Sequence, residues 1–191
     1  TSERYSGDMA REFVMTPPLR EAADVAALWD AVLGGEIDVI ATDHCAFTRE
    51  QKALGETCFD VLPGIPGVET LLPLVHHEGV VRRGMSLRDM VRMLSYNPAR
   101  LFGLFPRKGT IAPGSDADIV IFDPGCVRTI SGSELHSRSG YTPYEGMRVQ
   151  GWPRMAMVRG KVVCRNDQFV GAPGWGRFVA AAPSGRTAEE G

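Results

Sequence analysis

Apolar residues in the first part of the chain recur at two periods, and each predicts a different element. Over 21–33, Ala22, Val25, Ala26, Trp29, Val32 and Leu33 return at three- and four-residue spacing, which predicts a helix ended by Gly34-Gly35. The run Ile37-Asp38-Val39-Ile40-Ala41-Thr42 is short and rich in β-branched residues, which predicts a buried strand closing at Asp43-His44. Residues 1–18 are polar and read as a loop. Pro17-Pro18 excludes regular helix there, because each proline lacks an amide hydrogen and restrains its predecessor. Residues 45–67, charged at first and then rich in Gly and Pro, read as a long loop. Helices are expected again at 68–78 and 86–96, the second with Ser86 as N-cap and Asp89 three residues on. Asn97-Pro98 is expected to interrupt it, with one further turn over 99–104.

The pattern changes near Gly109. Residues 111–115 read as a turn, and 117–122 as a strand stopped by Asp123-Pro124-Gly125. Residues 155–159 and 161–164 flank Gly160 as a hairpin or a strand pair, and 168–170 are expected to add a short edge. The stretch from Pro173 is rich in Gly, Ala and Pro and is expected to end disordered. The pattern thus predicts an α/β piece followed by antiparallel β structure.

Composition narrows the partners more than the chemistry. A hydrophobic share of 43% supports a packed core, and 21 basic against 23 acidic residues leave a charge of -2. That balance gives no reason to expect a nucleic acid or an anionic membrane as partner. No apolar run reaches the roughly 20 residues a bilayer span needs. The opening Thr1-Ser2-Glu3-Arg4-Tyr5 lacks the basic head and apolar run of a secretory signal. Starting without Met in a polar stretch, it is expected to be a processed, cut or fragmentary chain. Four widely spaced cysteines, at 45, 58, 126 and 164, match neither a zinc knuckle nor a disulfide scaffold, so free thiols and a cytoplasmic location are expected.

The sharpest chemical signal is Thr42-Asp43-His44. Polar residues that end a strand of a (β/α) barrel line the mouth of its active site. A carboxylate there can ligate a divalent metal and accept a proton from metal-bound water. The plainer alternative is that Asp43 caps the next loop and His44 is a surface histidine. His76-His77 point about 100° apart on a helix, too divergent to grip one metal, and read as a solvated face. His136 receives no role. There is no Gly-rich phosphate loop and no arguable Ser-His-Asp arrangement.

Several segments, taken in order, carry a resemblance. They are Thr16-Pro17-Pro18-Leu19-Arg20, Asp38 to Cys45, Gly64-Ile65-Pro66-Gly67-Val68-Glu69-Thr70 and Asn97 to Leu104. Lys108-Gly109-Thr110-Ile111, Gly114 to Val120, Tyr144-Glu145-Gly146 and Arg159-Gly160-Lys161 complete the series. The set resembles the dihydropyrimidinase, hydantoinase and dihydroorotase branch of the metal-dependent amidohydrolases over most of 14–179. The Pro-Pro-Leu-Arg, Lys-Gly-Thr-Ile and Tyr-Glu-Gly segments are nearer to hydantoinase and dihydropyrimidinase. The implied fold is α/β: the C-terminal part of a (β/α)8 TIM-like barrel over 1–108, the returning half of a small β-sandwich over 109–170, and a tail over 171–191.

The resemblance also implies a site. Family members hold two divalent metals, usually zinc, through a carbamylated lysine, four histidines and one aspartate. Asp43 matches that aspartate, as metal ligand and catalytic proton carrier, with His44 supporting it from beside. Thr16, Pro63 and Gly64 match backbone that contacts substrate. The implied activity is hydrolysis of the ring amide of hydantoins or dihydropyrimidines. The alternatives are a dihydroorotase- or allantoinase-like hydrolase and a non-catalytic scaffold related to dihydropyrimidinase.

In the family pattern the remaining ligands precede residue 1, so the isolated chain is expected to be inactive. Its expected partners are a missing N-terminal half or neighbouring chains, a small cyclic amide or ureide, and further copies in a dimer or tetramer. Two departures fall in the loop that shapes the pocket. Leu62-Pro63-Gly64 stands where Ile-Pro-Asn-Gly is usual, and Ala46 where Pro is common.

Overall fold

The computed structural model describes residues 1–182. The chain divides into two compact units: Thr1–Ile37 with Ala41–Leu74 and Val127–Val149, and Asp38–Ile40 with Val75–Cys126 and Gln150–Gly191. Secondary structure is mixed α and β with one small antiparallel sheet.

In the first unit, two 3₁₀ turns, Ser2–Ser6 and Ala10–Phe13, precede helix α1 (Ala22–Gly34). A reciprocal cap between Glu21 and Asp24 starts α1, and Gly35 ends it in the left-handed region at φ 80°, as the glycine pair predicts. None of its residues is buried, although it carries Val25, Leu28 and Leu33. The stretch 45–67 is not loop throughout. Helix α2 (Arg49–Ala53) forms because Thr48 and Gln51 make a capping box, each side chain bonding the other's backbone amide. The unit's core gathers Phe13, Val61, Ile65, Ile130, Tyr141 and Val149.

The expected strand at 37–42 is a correction, because residues 36–48 form no strand. A β-branched run favours extended backbone, but a strand also needs a neighbour to complete its ladder. None pairs with it among the described residues. Within the run the Asp38 carbonyl instead accepts the Asn97 side-chain amide at 2.7 Å, and just beyond it the Cys45 amide donates to the Ile65 carbonyl at 3.2 Å.

The helices α3 (Leu71–Val75) and α4 (Leu87–Val91) follow, the latter capped by Ser86, whose hydroxyl accepts the Asp89 amide at 3.0 Å. Each runs on through a wider π turn, His76–Val81 and Arg92–Tyr96. The second π turn leads directly into α5 (Asn97–Leu101), so Asn97-Pro98 does not interrupt the helix as expected. Pro98 therefore stands inside a continuous helical stretch, directly after the wider turn Arg92–Tyr96. Met85, Met90, Met93, Ala99 and Trp152 are buried in the second unit.

The sheet has the order β1-β2-β3-β4, with β1 Ile119–Thr129, β2 Arg148–Val158, β3 Lys161–Arg165 and β4 Gln168–Phe169. β1 continues through Asp123-Pro124-Gly125, which was expected to stop it. As the outer strand it tolerates a residue without an amide donor, and Asp123 Oδ1 accepts the amides of Gly125 and Cys126. The hairpin expected around Gly160 is present. Val158 pairs with Lys161 across a two-residue turn, Arg159 (φ 48°) and Gly160 (φ 75°), as tight antiparallel turns require. Val120, Ile121, Val127 and Phe169 are exposed on this sheet. The expectation of a disordered end falls largely on 183–191, outside the described residues. Up to residue 182 the tail is tethered, with Trp175 Nε1 donating to the Val158 carbonyl and the Ala182 amide to Gly103.

Candidate active site

The first unit brings three of the sequence-singled segments together around Gly64. Its amide donates to the Val14 carbonyl at 2.9 Å, two residues before Thr16. A side chain on Gly64 would meet the Cys45 carbonyl at 2.4 Å and its Cβ at 2.8 Å, two residues after Asp43. Glycine is required here by close approach, since any larger residue would push the two loops apart. Gly64 is buried, while Pro63, Thr16 and Asp43 are exposed. Asp43 adopts φ 46°, an unusual backbone for a residue with a side chain. His44 turns its ring onto the loop that follows Gly64, and Nδ1 accepts the amides of Gly67 (3.0 Å) and Val68 (3.2 Å).

His44 also borders a cavity of about 430 Å³, walled by Phe47, Gln51, Val68, Glu69, Leu135 and Arg138 among others. One wall is fixed by a pair that pattern reading missed. Glu69 accepts the His136 backbone amide at 2.8 Å and bonds Nδ1 of the same residue at 2.7 Å. The two residues are 67 positions apart, and no local signal marks the pairing. Asp43 is not among the residues that line this cavity.

In the second unit the expectation for His76-His77 as a solvated face is corrected, because His76 is only 2% exposed. The divergence of adjacent helix residues, which argues against a shared metal, lets the two rings meet the carbonyl and the amide of one residue. His76 Nδ1 lies 2.7 Å from the Gln150 carbonyl, and His77 Nδ1 accepts the Gln150 amide at 3.2 Å. Next to that residue, Gly151 (φ 98°) lies against the His76 ring and Phe122.

Among the described residues, no three His, Cys, Asp or Glu side chains converge on one point. They therefore do not by themselves fit a metal centre. No helix among them is long and apolar enough to cross a membrane.

Comparison with known proteins bears on what these loops belong to. The profile of the amidohydrolase family matches residues 7–163. The chain belongs to the amidohydrolase family. Amidohydrolases are generally metal-dependent hydrolases. The chain is 43% identical over 176 residues to the D-hydantoinase of Geobacillus stearothermophilus, covering 91% of this chain and 37% of that protein. The crystal structure of dihydropyrimidinase from Brevibacillus agri matches 93% of this chain and 39% of its own, at 42% identity and a TM-score of 0.90. A D-hydantoinase (dihydropyrimidinase) from Thermus sp. matches 90% and 38%, at 45% identity and a TM-score of 0.86. This amidohydrolase chain thus spans under two fifths of the length of these relatives.

Proposed function

We propose that this chain is a segment of a cyclic amidohydrolase that opens the ring amide of a hydantoin or dihydropyrimidine. The observation that carries the proposal is the junction at Gly64, where the segments bearing Thr16, Pro63-Gly64 and Asp43 are held together. Similarity to hydantoinases over more than nine tenths of the chain supports it. In this reading 1–108 is the closing part of a (β/α)8 barrel, 109–170 is half of a β-sandwich, and 171–191 is a tail. The absence, among the described residues, of a ladder partner for 37–42 and the exposed apolar residues of α1 and β1 fit a chain completed by an N-terminal part or neighbouring copies. Zinc, assembly as a dimer or tetramer and a cytoplasmic location belong to the same proposal.

Asp43 is the proton carrier. Its carboxylate takes a proton from the attacking water as the water oxygen bonds to the ring carbonyl carbon. The C–N bond then breaks, and Asp43 delivers the proton to the leaving ring nitrogen. Backbone at Thr16, Pro63 and Gly64 orients the ring, and His44 fixes the loop that follows.

The test is a chimera joining residues 1–191 to the preceding part of the Geobacillus stearothermophilus D-hydantoinase. It is assayed with hydantoin and dihydrouracil alongside Asp43→Asn. Turnover should fall by about 10²–10⁴-fold in the variant with its fold intact. Near-normal turnover would remove Asp43 from this role. The isolated chain should show no metal-dependent turnover above an Asp43→Ala control.

A further inference from the structure

Lys52 belongs to α2 and is only 1% exposed. An ammonium so enclosed is costly unless its hydrogens meet acceptors. Nζ donates to the carbonyls of Val14 at 2.8 Å and Arg11 at 3.1 Å. Both acceptors are neutral, and burial holds the ammonium below the ordinary lysine range against the opposing pull of Glu12. The contact is reciprocated, since Arg11 Nη1 donates back to the carbonyls of Ala53 (3.2 Å) and Gly55. Arg49 adds an ion pair to Glu12 at 2.6 Å. Arg11 and Arg49 thus already fasten α2 to the 3₁₀ turn Ala10–Phe13. Packing alone would be served by an apolar side chain of similar length.

What Lys52 adds is its hold on Val14. That carbonyl is used twice, by Lys52 Nζ and by the Gly64 amide at 2.9 Å. Two donors occupy its two lone pairs and fix the direction of the peptide. We infer that Lys52 is a positioning residue, whose ammonium sets the Val14 carbonyl to receive Gly64 and so fixes the Pro63-Gly64 loop against the chain leading to Thr16. The functional consequence rests on the reading above, in which those two stretches of backbone hold the substrate. Lys52 touches neither substrate nor reacting atoms. Its loss should weaken substrate binding and leave the chemical step largely unchanged.

The geometric half is read in the 1–191 chain by residue-resolved amide exchange, with Lys52→Met and Lys52→Gln compared against Arg11→Met. Arg11→Met removes the reciprocal contacts and leaves Lys52 on Val14. The Lys52 variants should speed exchange of the Gly64 amide by about tenfold or more, the effect of a lost charge-assisted bond, while Arg11→Met leaves it near wild type. In the chimera, the Lys52 variants should raise KM by about tenfold with kcat within about twofold. Unchanged Gly64 exchange overturns the inference. So does a parallel fall in kcat with KM unaltered, or the failure of both Lys52 variants to fold, which would make Lys52 a determinant of the fold. If the unsubstituted chimera hydrolyses no cyclic amide, the functional reading fails and the exchange result alone decides the role of Lys52.

Discussion

Replacing Gly151 by alanine tests whether the double histidine contact and the backbone beneath it form one close-packed unit. Gly151 stands at φ 98°, where a residue with a Cβ costs about 1–2 kcal/mol. An added Cβ would also lie 2.2 Å from His76 Nδ1 and 2.6 Å from Phe122 Cζ. Neither ring has room to retreat freely, because His76 is buried and packs edge-on to Phe122 at 4.9 Å between centroids. Overpacking of this kind costs about 1–3 kcal/mol, which brings the expected total to about 2–5 kcal/mol. Gly160→Ala is the control. Its φ of 75° is also left-handed, but its nearest atom would be Ala117 Cβ at 4.0 Å, so only the backbone term applies. Urea unfolding of the three proteins, followed by both circular dichroism and tryptophan fluorescence, should separate the variants by at least about 1 kcal/mol. Equal losses would refute the steric argument and leave Gly151 required only for its backbone conformation.

Tyr141→Phe should leave stability within about 1 kcal/mol at pH 8, since the hydroxyl is buried without a hydrogen-bond partner among the described residues. Burial, reinforced by Glu12 and opposed by Arg49, pushes this phenol up to about 12. The unfolded phenol ionises at about 10, so between those values the unfolded state loses its proton first and wild type is destabilised as pH rises. Relative to the Phe variant the loss should reach about 2–3 kcal/mol, and a pH-independent difference in urea midpoints would contradict it. Glu69→Gln should cost under about 1 kcal/mol globally, because the pair with His136 is partly exposed. Faster amide exchange should nevertheless appear at 135–139, and unchanged exchange there would show that Glu69 does not hold this wall. For Asp43→Asn, the chimera should retain its circular dichroism spectrum while losing turnover.

Elements whose causes lie within a few residues were legible in the sequence. Glu21 to Gly35 carries its own periodicity and stop, Ser86 and Asp89 their own cap, and Arg159-Gly160 its own turn. Helix α2 could also have been found, since Thr48 and Gln51 stand three apart in the capping pattern. The run 37–42 has the composition of a strand but no neighbour to pair with among the described residues, and composition cannot supply one. Pro98 reads as a break because a local rule does not foresee a π turn just ahead of it. At the candidate site, Thr16, Gly64 and Asp43 were named by resemblance, and their joining through Val14 and Cys45 emerges only in three dimensions. His76 with Gln150, and Glu69 with His136, are separated by 74 and 67 residues, so no local pattern links them.

The rims of the sheet bear on self-association by strand addition. An outer strand with free amides is a template on which another copy can lay a strand, and repeated addition builds a fibre. On β1 that template is interrupted, because Pro124 has no amide to offer and Asp123 engages those of Gly125 and Cys126. The opposite rim, β4, is two residues long. Neither rim offers a long unbroken row of donors and acceptors for a second molecule to extend. The residues that were expected to end β1 thereby guard it against fibrous growth, while Val120 and Ile121, successive and so on opposite faces of the strand, both remain exposed.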